Sequence, residues 1–462
     1  MQVPFVRCLP GAAERSSRLR TLACVVLTVV LIKVVLADTA VAVDPPAGVL
    51  VGSDGRRQPA RLIAIHPDRL VIDGGEGDAS ERSVPWSEVL RFGPELPGPA
   101  AIDAPASVWL VDGSRLAASR ITIKDLSLEI ENPWSRALLP IDSVVAVQIN
   151  GPLSPAATAA GGRLLESLDQ DDAAQTEDAL VLLDGQVRRG GLAWHALEDV
   201  SLLQAAQQDR EVALQRPGQT LSTSLARVRW IVTGTALRAT VESKSERSEH
   251  NFPELMVQMR DGSRLVLGGV SDPARWRLAC GVDIVWNADQ TIHSHVQAVA
   301  PAVVDGLLAR AAPLRYRAVP WFGSPPPLHR ETTPLRNRIE TAATSRLVYS
   351  LDRPRRLRGR VVVRDARWAA ATSPSPSAFS ATDDSSLIPA CRFTVQTVDA
   401  QGTVTTRWQS DPVGAIAGEN AVDFDVVLPA AGLLILGSDS ASGGDLPVPQ
   451  WRDVVWYEAP AS

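Results

Sequence analysis

The dipeptide Asp-Gly, set between short apolar or alternating runs, recurs in four similar phrases, "LVGSDGRRQPARL", "WLVDGSRLAAS", "LVLLDGQVRRGGL" and "VQMRDGSRLVLGG". Such a turn needs positive φ, which glycine adopts freely and aspartate tolerates, so each phrase predicts a β-hairpin. The residues after each phrase keep the strand period of two. After the second come "SRLAASRITI", "LSLEIEN" and "ALLPIDSVVAVQI", short runs bounded by turn residues. The phrase therefore marks a copied unit rather than one continuous sheet. The units span 43–98, 99–152, 179–236 and 252–300, with an Ala-rich, acidic connector at 153–178 that has room for one short helix. A stretch of this size suits a small β-barrel or rolled sheet, because closure removes exposed strand edges. The unequal spacing argues against a solenoid or a propeller.

A second change comes after Ala300. "PWFGSPPPLHRETTP" is Pro-rich, and 301–333 reads as a linker or the wrapped lead-in to a new domain. Strands resume over 334–462: "SRLVYSL", "LRGRVVVRD", "CRFTVQTV", "TVTTRW", "AVDFDVVL", "GLLILGSD" and "WRDVVWYE". With almost no helical periodicity between them, these strands predict a two-sheet sandwich.

Hydrophobic residues make up 45% and charged residues 21% of the 462, so most of the chain is expected to fold. The formal net charge of −6 supplies no basic field for nucleic acid. At the N-terminus, Arg7, Arg15, Arg18 and Arg20 precede "TLACVVLTVVLIKVVLA". This reads as a signal peptide, 1–42, with small-residue cleavage patterns ending at Ala37 and Ala42. Lys33 interrupts the apolar run, so no membrane span is expected in the mature chain, and an extracytoplasmic location is. Beyond the leader only Cys280 and Cys391 remain. They either pair or stay as buried free thiols; no disulfide framework or zinc spacing is present.

The segment from Pro334 to Glu458 resembles the NPCBM domain, a carbohydrate-binding module. The pieces that carry the resemblance are "SRLVYSL", "RRLRGRVVVRD", "CRFTVQTVDAQG", and "GLLILGSDSASGGD" followed by "WRDVVW". The resemblance implies a galactose-binding-like jelly roll and sugar binding. The upstream units resemble small β modules that precede this domain in secreted planctomycete-type proteins. Three departures stand out. "IETAATS" replaces a Gly-rich segment and "HS", "PVPQ" replaces an acidic-His pair, and Asp365 stands without an acidic neighbour. The fold expected is thus all-β: tandem small β-barrel or rolled-sheet units followed by a C-terminal jelly-roll β-sandwich.

No Gly-x-Ser-x-Gly, Walker loop or HExxH occurs, and nothing pairs two carboxylates across a bond, so no enzyme, cofactor or metal is expected. "HSH" at His293–His295 would place two imidazoles on one strand face, but only Asp289 is nearby in sequence, and a solvated strand is the plainer reading. Arginines crowd 353–367. In a strand, Arg356, Arg358 and Arg360 share one face opposite Leu357 and Val361. That face is either solvated or meets an anionic partner. The chain has twelve Trp, a residue that fills β cores and also stacks on sugar rings. Trp368 and Trp408 are the candidate platforms, whereas Trp451 falls on a core strand. Together these features point to a non-catalytic extracytoplasmic protein that binds a polysaccharide or another envelope component. The alternative is an assembly protein that contacts envelope proteins, its sugar site lost.

Overall fold

The computed structural model describes residues 46–74, 81–95, 104–150, 177–234, 254–272, 275–286, 292–318, 328–333, 335–365, 390–414, 421–428, 431–441 and 447–458. The expected signal peptide, nearly all of the connector, and Trp368 lie outside these residues. Among the described residues no helix is long and apolar enough to cross a membrane.

The first unit holds β1 (Ala47–Gly52), β2 (Arg57–Ile65), β3 (Arg69–Asp73), β4 (Glu81–Pro85) and, after a 3-10 turn at Trp86–Glu88, β5 (Val89–Gly93). β1 to β4 pair in succession, and β5 returns to β1. The second unit contains β6 (Ala106–Leu110), β7 (Arg115–Ala118), β8 (Arg120–Lys124), β9 (Ser127–Glu131), β10 (Ser135–Pro140), a 3-10 turn and β11 (Val144–Gln148), which returns to β6. The third contains β12 (Ala179–Leu182), β13 (Val187–Arg189), β14 (Gly191–Leu192), the short helix α1 (Leu202–Gln207), β15 (Glu211–Arg216), β16 (Gln219–Ser224) and β17 (Val228–Val232), with β17 on β12. The fourth contains β18 (Leu255–Met259), β19 (Arg264–Asp272), β20 (Arg275–Leu278), β21 (Asp283–Trp286) and β22 (Val296–Pro301), with β22 on β18. Each unit is thus a short meander closed by its last strand. The alternation behind it is plain in β9, where Leu128 and Ile130 point inward from "SLEIE".

The Asp-Gly turns differ in one respect from expectation. Gly55, Gly113, Gly185 and Gly262 take positive φ, from 76° to 89°, but their aspartates do not. Each aspartate acts through its side chain instead. Its Oδ1 accepts the amide two residues on, at 2.9 Å from Arg56, 2.8 Å from Ser114, 3.0 Å from Gln186 and 2.8 Å from Ser263.

Each Asp-Gly phrase opens a run of short strands of this kind, yet most of these strands join across the expected unit boundaries. Closing strand β5 also pairs with β22, and β11 also pairs with β17. The second and fourth units meet through β7–β19 and β10–β21. Among the described residues all four contribute to a nineteen-stranded sheet, in the spatial order first, fourth, second, third, while β14, β15 and β16 of the third form a separate three-stranded sheet. The physical reason is that the unit leaves edges open, and a neighbouring unit covers them.

The contact between the second and fourth units is reciprocal. Both carry the same five residues, "DGSRL", at Asp112–Leu116 and Asp261–Leu265. Ser114 Oγ accepts the amide of Val266 at 2.8 Å, and Ser263 Oγ accepts the amide of Ala117 at 2.8 Å. Asp112 Oδ2 accepts the Cys280 amide at 3.1 Å, and Asp261 Oδ2 accepts the Trp134 indole N–H at 2.7 Å. Two copies of one phrase therefore meet about a local two-fold axis, as in an isologous dimer. Tryptophans fill the joints. Trp134 stacks on Trp286 at 4.8 Å, Trp286 meets Trp276 edge-on at 5.0 Å, and Trp109 meets Trp230 at 5.6 Å.

The remaining strands form a two-sheet sandwich. One sheet has the order β23 (Arg315–Ala318), β26 (Ser345–Leu351), β32 (Gly432–Ser440), β28 (Ala390–Val398), β29 (Val404–Gln409), with β30 (Val413–Gly414) beside β28. The other has the order β24 (His329–Thr333), β25 (Arg336–Glu340), β33 (Pro447–Glu458), β27 (Arg355–Asp365), β31 (Ala421–Leu428). Leu347, Tyr349, Phe393, Phe424, Leu436 and Trp451 lie in the core between them. The described parts of 301–333 are built into this domain: Arg315–Ala318 and His329–Thr333 each supply an edge strand, and Leu308 and Ala309 are buried in the core.

Candidate functional site

The face that carries Arg356, Arg358 and Arg360 is the outer face of the five-stranded sheet. Leu357 and Val361 point inward, as the period of two requires, and are fully buried. The arginines point outward, where β31 places two aspartates opposite them in register, Asp425 across from Arg358 and Asp423 across from Arg360. Arg356 forks onto Asp425 at 2.6 and 2.7 Å, and Arg360 forks onto Asp423 at 2.6 and 2.9 Å. Arg358 reaches Asp425 at 2.6 Å and also donates to the carbonyl of Asp54 at 2.7 Å, in the first Asp-Gly turn. Arg360 also pairs with Glu95. The anions that meet these three arginines therefore come from the chain itself: Asp423 and Asp425 from β31, and from the first unit Glu95 and the Asp54 carboxylate, 3.2 Å from Arg358. Burial pushes the Asp425 and Asp423 carboxyls up, but the arginine hydrogen bonds outweigh it and hold both below the usual carboxylate value.

This face is where the first unit docks. Gly55 takes φ +76°, and a Cβ there would lie 2.8 Å from Val455 and 3.1 Å from Arg358, so the turn fits only as glycine. Val51 and Leu90 of the first unit pack with Val304, Leu307 and Val455. At the centre lies Asp453. β33 bulges opposite Gly359, so that Asp453 and Val454 together face one residue of β27. Asp453 takes φ +48° and is buried, and its carboxylate turns toward the first unit. Arg57 donates to it at 2.6 Å, and Arg91 donates at 2.8 and 3.1 Å.

Trp408 is half-buried, packed on the sandwich core with its ring 5.1 Å from Phe424. Among the described residues no tryptophan is exposed, so none of them presents a bare stacking surface. His293–His295 form part of a 3-10 turn, Ile292–His295, rather than a strand. Cys280 and Cys391 are both free thiols. Burial pushes the Cys391 thiol up to about 12, which leaves it unreactive.

The outer face of the six-stranded sheet has a different character. The core residues Tyr316, Leu347, Phe393 and Leu436 fix the alternation. The residues between them point outward in rows set by the register. One row runs Arg317, Arg346, Gly437, Thr394, Gln409, and the next runs Arg315, Val348, Ile435, Gln396, Thr406. Arg392 lies across from Asp439. Arg346 lies over Gly437, where a Cβ would meet its Cδ at 3.1 Å. It donates to the carbonyls of Ser345 at 2.8 Å and Ser438 at 3.0 Å, and pairs with Asp439 at 3.0 Å. Arg315, Arg317 and Arg392 are exposed and have no acidic partner among the described residues. These arginines escape a linear reading because they come singly from strands scattered over 315–392. Their only trace is the repeated pattern of arginine beside a core residue, in "RYR", "SRLVY" and "CRF".

No family model matches the chain, and no curated protein matches it. Among solved structures, the tandem CBM51 modules of a family 98 glycoside hydrolase from Streptococcus pneumoniae match at 10% identity and TM-score 0.25, over 77% of this chain and 100% of that one. The CBM51-2 domain with GlcNAc and INT domains of Clostridium perfringens ZmpB match at 11% identity and TM-score 0.22, over 45% of this chain and 40% of that one. The CBM51-2 and INT domains of the same protein match at 14% identity and TM-score 0.21, over 32% and 31%. The chain thus spans well under half the length of the two Clostridium structures. The chain's all-β architecture rests on its own strands.

Proposed function

We propose that this is a non-catalytic extracytoplasmic protein that binds a polysaccharide of the cell envelope through its C-terminal sandwich. The observation that carries the reading is an asymmetry between the sandwich's two outer faces. The first unit docks on the five-stranded face, while the six-stranded face presents rows of outward polar and half-buried apolar side chains. Gln396, Thr406 and Gln409 supply amides and a hydroxyl for sugar hydroxyls, and Val348 and Ile435 supply apolar ground for the C–H faces of a ring. The resemblance of 334–458 to a carbohydrate-binding module supports the same reading.

The test is retention of the full chain on a panel of insoluble envelope polysaccharides. Retention on at least one polymer is expected, with release by the soluble form of that polymer and no new reducing ends. Retention on none, with stable self-association or capture of an envelope protein instead, would move the chain to the assembly reading. Export has its own measurement. Mass spectrometry of the exported protein is expected to find an N-terminus following Ala37 or Ala42; an intact Met1 in a cytoplasmic pool would refute it.

A further inference from the structure

We infer that the outer face of the six-stranded sheet takes the anionic groups of an acidic polysaccharide, one bearing carboxylates or sulfates along its length. This deepens the glycan-binding reading and rests on it. Among the described residues, four arginines, Arg315, Arg317, Arg346 and Arg392, share the face with one acidic side chain, Asp439. Arg315 and Arg317 lie about 6–7 Å apart along their strand, and Arg317 is one strand spacing, about 4.8 Å, from Arg346. Like charges so close repel, and Asp439 is already engaged by Arg346. An anion laid along the face removes that repulsion.

Further observations make this a prepared surface rather than a scatter of exposed arginines. Arg346 is held in place by three acceptors, so its guanidinium is oriented before any ligand arrives. Gly437 lets the Arg346 side chain lie close over the strand, where a Cβ would meet its Cδ and Nε at 3.1 Å. Thr394 Oγ1 leans into the same space, 2.4 Å from where a glycine Cβ would be. That hydroxyl belongs to a residue only 7% exposed, and it has no hydrogen-bond partner among the described residues. Its capacity is unspent beside the most firmly held cation of the face. The occupant is a polysaccharide rather than nucleic acid, because no exposed tryptophan stands among the described residues to stack bases.

The test uses the full chain with three soluble probes, dextran, dextran sulfate and polygalacturonate. The site variant carries Arg315→Ser, Arg317→Ser and Arg392→Ser. The charge-matched control carries Arg120→Ser, Arg136→Ser and Arg275→Ser, all exposed on the second and fourth units. Wild type and control are expected to bind at least one acidic polymer about tenfold or more tighter than dextran, with the difference lost near 1 M salt, where the Debye length is about 3 Å. Each exposed arginine is worth about two- to fivefold, so the site variant is expected to lose about tenfold or more of the acidic binding. Equal loss in the control would reduce the effect to overall charge and overturn the inference. Dextran bound as tightly as the acidic polymers, without salt dependence, would overturn it and leave the glycan reading intact. Binding of none of the three by the wild type would overturn the inference, and the glycan reading falls with it only if the panel of envelope polysaccharides also retains nothing.

Discussion

Asp453→Asn is expected to destabilise the chain by about 3–5 kcal/mol at neutral pH, because it leaves Arg57 and Arg91 buried without their carboxylate. Arginine cannot shed its proton to escape the penalty. The two arginines and the aspartate are 11%, 2% and 6% exposed at their side chains, so water cannot substitute for the lost charge. The pH dependence gives a second handle. Burial alone would push the Asp453 carboxyl up, but Arg91 and then Arg57 reverse this and hold it below the usual value. A carboxyl lowered on folding contributes stability above its unfolded value of about 3.9 and loses it as pH falls through the folded value. Urea unfolding of wild type is therefore expected to weaken steeply below about pH 4, and the variant to show a shallower acid slope. A change under about 1 kcal/mol with an unaltered acid slope would mean that the first unit and the sandwich are not held together through Asp453.

Trp276→Ala is the second large effect. Its indole is fully buried, edge-on to Trp286, which in turn stacks on Trp134 of the second unit. Removing it costs the transfer free energy of a large aromatic and leaves a cavity at the joint of two units, about 3–5 kcal/mol. Trp276→Phe keeps most of the volume and is expected to cost roughly half as much or less. The near-UV circular dichroism of the stacked indoles is the diagnostic readout. If the alanine variant kept that signal and unfolded at the wild-type denaturant midpoint, the tryptophans would not be joining the units.

The strands and their repetition were legible because their causes are local. Alternation and the Asp-Gly turn are decided within a few residues, and β9 and the four turns follow the sequence closely. Two things were not local. The first was pairing between units: β5 gives no sign in its own residues that β22, two hundred positions away, will cover it. The second was charge. "RRLRGR" stood out as a cluster, and its period of two correctly put three arginines on one face. The same period in "VDFDV" puts Asp423 and Asp425 on the outer face of β31, but only the strand register shows that they lie opposite those arginines. The open arginines of the other sheet are single residues on separate strands, and only the fold brings them together. The lesson is that a run of like charge in a strand needs its neighbouring strand before it can be assigned to a ligand.

The spatial order of the units also sets an order of birth. A chain made from its N-terminus completes the first three units before the fourth exists. During that time the first unit's β5 and the second unit's β7 and β10 have no neighbours on the sides that β22, β19 and β21 later cover. An open edge is a template for any passing strand, including one from another nascent copy. The identical "DGSRL" phrases sharpen the hazard, because a second unit waiting for its own fourth unit is equally complementary to that of a neighbour. Arg57 and Arg91 wait longer still, for a carboxylate 396 and 362 residues downstream. Chains cut short before 254 are thus expected to be the sticky ones, and a copy that exchanges its fourth unit with another would satisfy every bond that the closed single chain satisfies.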